Sequence, residues 1–210
     1  MAITSILLNF SFFPLLIVTI YCLFIYRKLS KELRTFAWFI FLSATMELFS
    51  RIFWLLHMNN LPFLHLYVAV GFCILALFYK HVLKGFISSA LAWTIIMLFL
   101  LFTVINSLFI QPIFTFNSYA LIVESVLIII ISGYTILLKS GNSIVKIPNW
   151  INFGLLLYYS SSLLIFYFGD TLTQVFSKEA SVYTWVMHSI ASMIMYCCFF
   201  VGLWQLKARD

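Results

Sequence analysis

Apolar residues run along this chain in continuous blocks, not in alternation. Seven blocks stand out, near 5–26, 35–57, 63–84, 87–110, 117–138, 149–169 and 182–205. Each approaches the ~20 mostly apolar residues that a helix needs to cross a bilayer. The alternating pattern of a membrane β-barrel is missing. The pattern therefore predicts an all-α polytopic membrane protein: one domain, 1–210, of seven transmembrane helices. On this reading the spans and short connections use up the chain and leave no room for a soluble catalytic, kinase or DNA-binding domain. The longest outer connection, GDTLTQVFSKEAS (169–181), reads as a loop that could act as a lid.

Composition agrees. Hydrophobic residues make up 64% of the 210 residues and charged residues 9%, against about 45–50% and about 25% in soluble domains. Charge then sets the orientation. Arg27, Lys28, Lys31, Arg34, Lys80, Lys84, Lys139, Lys146, Lys207 and Arg209 all fall at one set of span ends, ten of the twelve basic residues. The positive-inside rule makes that side cytoplasmic. The N-terminus is then outside and the C-terminus cytoplasmic, with a bacterial inner membrane as the expected location. The opening MAITSILLNF lacks the basic residues of a signal peptide. The net charge of +6 calls for no nucleic-acid partner, since orientation and membrane lipid account for it. Cys22, Cys73, Cys197 and Cys198 lie inside spans without CxxC spacing and read as packing residues.

The candidate chemistry lies in polar residues within the spans. In the second, Ser43, Glu47, Ser50, Arg51 and Trp54 recur every three or four residues and form one stripe. An Arg or Asp at a helix centre costs about 2.5–3.5 kcal/mol, so such groups face the bundle interior and find partners. Glu47 and Arg51 can pair with each other, but a guanidinium has donors to spare. His65, Glu124 and His188 fall on three further spans. With the expected orientation, these five ionisable residues share the outer half of the membrane. Asn117 lies two turns from Glu124 on one face, Tyr159 shares a face with Asn152 and Ser162, and Thr184, His188, Ser192 and Tyr196 recur every fourth residue.

The sequence therefore nominates Glu47, Arg51, His65, Glu124, His188, Trp54, Asn117 and Tyr159 as a ligand site opening outward, and no catalytic residue. A recessed arginine suits a carboxylate or phosphate, Glu124 suits an amine or a proton, and the aromatic residues suit a wall. Ser43, Ser50, Thr184, Ser192 and the YYSSS run read instead as hydrogen-bonding glue between helices. No helix carries HxxxH, HExxH or ExxH, which argues against a metal. No span holds a central lysine for a retinal Schiff base, so no cofactor is expected. Spans one to three and five to seven have the outline of a three-one-three repeat, as in some transporters.

Three stretches carry a resemblance: MELFSR with NNLPFLHLY, FIQPIFTFNSYALIVES and IPNWINFGLLLYYSSS. They resemble uncharacterised bacterial seven-helix membrane proteins that occur alone or fused to histidine kinases. The resemblance implies a sensory role, here with a separate signalling partner such as a histidine kinase, because the chain closes at LKARD. The leading expectation is a sensor or receptor-like protein for a small polar or anionic ligand or a lipid headgroup. A transporter with a central charged site is the first alternative and a lipid-modifying enzyme the second. The oligomeric state is open.

Overall fold

A computed structural model describes residues 10, 12–141, 147–175 and 178–207, apart from the side chains of 140–141, 168–175, 178–182 and 207. The described chain is helical throughout: α1 (Phe12–Ile25), α2 (Lys31–Leu55), α3 (Leu61–Val82), α4 (Ser89–Ile105), α5 (Ser118–Gly141), α6 (Asn149–Val175) and α7 (Lys178–Lys207). A helix satisfies its own backbone hydrogen bonds, which apolar surroundings cannot do. Six helices, all but α1, are long and apolar enough to cross a membrane. The protein is in this sense a multi-pass membrane protein. The described part of α1 has 14 residues. Residues 5–9 of the expected first span, Lys146 and Arg209 lie outside the described residues.

Local chemistry sets the helix ends. Ser30 caps α2 by accepting from Leu33 N–H at 3.5 Å, and Ser88 caps α4 by accepting from Leu91 N–H at 3.1 Å. Pro62 occupies the first turn of α3, where no hydrogen bond is lost. Gly85, at φ +95°, turns the chain between α3 and α4. The expected loop over 169–181 is replaced largely by helix, since α6 runs to Val175 and α7 begins at Lys178. That stretch contains no proline, and a lone Gly169 costs a helix only about 1 kcal/mol.

Packing gathers the chain into two compact units. One spans Leu23–Glu124 and holds α2, α3, α4 and the start of α5. Its helices run antiparallel. Phe36 meets Phe78, Ser43 meets Tyr67 and Phe53 meets Phe63, so the partners descend α3 as they climb α2. The Phe72 and Phe99 rings meet at 4.0 Å, tilted by 35°, between α3 and α4. Phe36, Phe39, Ile40, Leu75 and Phe78 are fully buried in its core.

The other unit holds α1 up to Cys22 and the chain from Ser125. This grouping places α2–α4 in one unit and α6–α7 in the other. Here α5 and α6 are tied by Ser132 and Asn152. The Ser132 hydroxyl faces both the Asn152 carbonyl (3.1 Å) and Oδ1 (2.8 Å), while Asn152 Nδ2 donates to the Ser132 carbonyl at 2.8 Å. The α6–α7 hairpin closes over two glycines. A Cβ at Gly154 would lie 2.9 Å from Cys198 Cβ and 3.2 Å from the Met195 carbonyl oxygen. One at Gly202 would lie 2.9 Å from Ile151 Cγ1 and 3.2 Å from Pro148 Cβ. Small residues let membrane helices approach this closely.

Candidate functional site

The α2 stripe begins buried and ends exposed. Ser43 is buried and donates to the Phe39 carbonyl at 2.9 Å. Its single proton is thereby used, so the Tyr67 hydroxyl at 3.1 Å donates to Ser43 Oγ. Two turns on, Arg51 donates through Nε (3.0 Å) and Nη2 (2.9 Å) to Glu47 Oε1. Helical spacing of four residues brings the two together. Arg51 keeps 33% of its side chain exposed and Glu47 37%. Trp54, at the end of the stripe, is 74% exposed and stands outward.

Glu124 is 2% exposed. Its Oε1 lies 3.9 Å from the point where a Cβ on Gly71 would sit, and Phe39 and Leu42 of α2 border the same point. These are ordinary contact distances, so the carboxylate packs beside Gly71 between α2 and α3.

His65 is held from both sides. Its Nε2 lies 3.0 Å from the Thr115 carbonyl, which can only accept, so Nε2 carries a proton. Nδ1 faces the Ser107 hydroxyl at 2.8 Å. In the neutral ring, Ser107 therefore donates to Nδ1. The histidine pins the start of α3 to the chain that follows α4.

That chain departs from the α-helix. Asn106–Ile110 forms one π-helical turn, closed by Gln111 N–H donating to the Asn106 carbonyl at 2.7 Å. Such turns often accompany functional sites. A line of amides follows, and its direction is fixed from one end. The Tyr119 N–H donates to Gln111 Oε1 at 3.0 Å, so this atom is the oxygen. Asn106, 3.2 Å from it, must present its NH2, which leaves Asn117 Oδ1 to accept from Asn106 at 2.8 Å. Gln111 Nε2 then donates to Ser118 Oγ at 2.7 Å. Asn117, nominated as a ligand residue, is fully buried in this network.

His188 belongs to the other unit. Its ring lies among those of Tyr158 (5.3 Å), Phe166 (5.4 Å) and Trp185 (6.0 Å). Ser162 Oγ lies 3.2 Å from Nδ1 and Tyr158 Oη 3.4 Å from Nε2. Tyr159 is buried, its ring edge-on to Tyr158 at 5.2 Å. An open apolar groove of about 600 Å³ runs beside this hairpin, lined by residues that include Leu157, Leu164, Met187 and Ile194.

No family model, curated protein or solved structure matches this chain. The residues themselves must carry the reading. Within Leu23–Glu124, Glu47 joins Arg51, His65 joins the π-turn and its following loop, and Glu124 sits over Gly71. Asn106, Ser107, Gln111 and Thr115 were not nominated from sequence. The signal available was Asn106 itself, an amide inside the apolar run LLFTVINSLFI. Among the described residues, no three His, Cys, Asp or Glu side chains gather as a metal site would require.

Proposed function

We propose that this protein is a membrane sensor or receptor-like protein. Its ligand is a small polar or anionic molecule, or a lipid headgroup, taken by Arg51 and Glu47 from the outer side. The full topology on this reading is seven spans with the N-terminus outside and the C-terminus in the cytoplasm of a bacterial cell. A separate partner, such as a histidine kinase, receives the signal.

One observation carries the reading. In the last third of an apolar helix, a guanidinium and a carboxylate pair with each other and still leave a third of each side chain exposed. Intramembrane charge is costly and marks function by default. An anionic ligand competes with Glu47 for the guanidinium and gains paired hydrogen bonds. Signalling then requires that the ligand bind one helix arrangement better than another.

Native mass spectrometry of the purified protein tests this, with wild type beside Arg51→Met and Glu47→Gln. The expected result is a co-purifying small molecule or lipid in wild type that Arg51→Met loses. Equal occupancy in all three proteins, or none in any, refutes the site.

A further inference from the structure

We infer that one end of the Leu23–Glu124 unit is a binding surface for anionic phospholipid headgroups. Two segments meet there, because α2 and α3 are antiparallel: the chain 27–34, which leads into α2, and 80–84, which ends α3. Together they hold six basic residues, Arg27, Lys28, Lys31, Arg34, Lys80 and Lys84, against one acid, Glu32. Hydrogen bonding to its own backbone at the start of α2 holds its carboxyl below the ordinary range, so it stays ionised as a single negative charge. It leaves the basic excess largely in place.

The presentation is built rather than loose. Arg27 and Lys28 sit on a single 3₁₀ turn, Tyr26–Lys28, closed by Leu29 N–H donating to the Tyr26 carbonyl at 3.3 Å. Leu29 is buried and anchors the turn. Arg34 straps it to α2, its Nε donating to the Leu29 carbonyl at 2.8 Å. Arg27, Lys28, Lys31, Arg34 and Lys84 are all exposed. Lys80 is fixed over the Trp93 ring at 4.5 Å.

The occupant follows from what lies just below the charges. Tyr26, Trp38 and Phe41 form an aromatic cluster with ring separations of 5.9–6.4 Å. Trp38 remains largely exposed. An indole beside basic residues at the end of an apolar helix fits the headgroup layer. A phosphate ester over Arg27, Lys28 and Lys31, with its glycerol and first methylenes against Trp38, satisfies both parts. An acidic protein would use the charges and leave the aromatic cluster without a role.

The test uses the full chain in nanodiscs of phosphatidylcholine containing a minority of phosphatidylglycerol. Native mass spectrometry counts the anionic lipids retained by wild type, by Arg27→Gln/Lys28→Gln/Lys31→Gln and by Trp38→Leu. Each basic residue removed should weaken the preference about fivefold. The triple variant should therefore lose its enrichment, while melting as wild type does in pure phosphatidylcholine. Trp38→Leu should lose part of it. If the triple variant does not fold, Lys28→Gln and Lys84→Gln singly should each show the fivefold loss. Equal enrichment in wild type and the variants overturns the inference. So does displacement of the lipid by inorganic phosphate at matched ionic strength, or capture of an acidic protein with no lipid preference.

Discussion

Replacing Gly154 by alanine asks α6 to accept a methyl group 2.9 Å from Cys198 Cβ, 3.2 Å from the Met195 carbonyl oxygen and 3.3 Å from Phe199 Cε1. Ordinary contact starts near 3.4 Å. Two of the three neighbours are a Cβ and a backbone oxygen, which cannot swing aside without moving α7. Overpacking of this kind costs about 1–3 kcal/mol. Alanine also favours helix over glycine by about 1 kcal/mol. The net effect at Gly154 is then a loss of roughly 0–2 kcal/mol. Gly133 on α5 supplies the control, because a Cβ there meets nothing within 4 Å. Gly133→Ala keeps the helix gain with no clash. The helix term is common to both sites, so their difference, about 1–3 kcal/mol, isolates the packing. Gly202→Ala should fall on the Gly154 side, since Pro148 and Ile151 crowd it. The assay is equilibrium unfolding in mixed micelles, followed by tryptophan fluorescence. Equal shifts for Gly133→Ala and Gly154→Ala would refute the close approach of α6 and α7.

Three further outcomes are expected. In the same assay, Arg51→Met should cost about 1.5–3 kcal/mol by stranding the Glu47 carboxylate, and Glu47→Gln/Arg51→Met should recover part of that loss. His65→Phe strands the Ser107 hydroxyl and the Thr115 carbonyl. It should cost about 1–3 kcal/mol and speed amide hydrogen exchange over residues 106–117. Asn152→Leu removes the donor to the Ser132 carbonyl and an acceptor for its hydroxyl. It should therefore lower the unfolding midpoint more than Ser132→Ala, which removes the hydroxyl alone.

Much of the architecture could be read from the sequence, because a block of twenty apolar residues has few fates other than a spanning helix. The starts of α2, α3, α5 and α6 came within a few residues of the observed ones for that reason. Other features depended on neighbours that spacing does not specify. Ser43 and Trp54 point along nearly the same direction of α2, yet one is buried and the other exposed. Their difference is height along the axis, since most apolar residues in the last two turns of α2 are exposed. The π-turn at Asn106 has no periodic signature. Its amides make sense only once Tyr119 N–H fixes which atom of Gln111 is oxygen. The Glu47–Arg51 pair was legible because both partners lie on one helix. The surroundings of Glu124 were not, because Phe39, Leu42 and Gly71 are far from it in sequence. Gly154 and Gly202 carry no signal of their own in the sequence. Their role as contact points needs the facing helix to be seen.

The α6–α7 hairpin also has a mechanical consequence. Two helices whose backbones nearly touch at Gly154 and Gly202 are keyed like a tongue in a slot. Sliding one past the other by a single residue, 1.5 Å, would take each notch away from the atoms it admits and push a full side chain against them. Shear between α6 and α7 is therefore blocked in steps smaller than a helical turn.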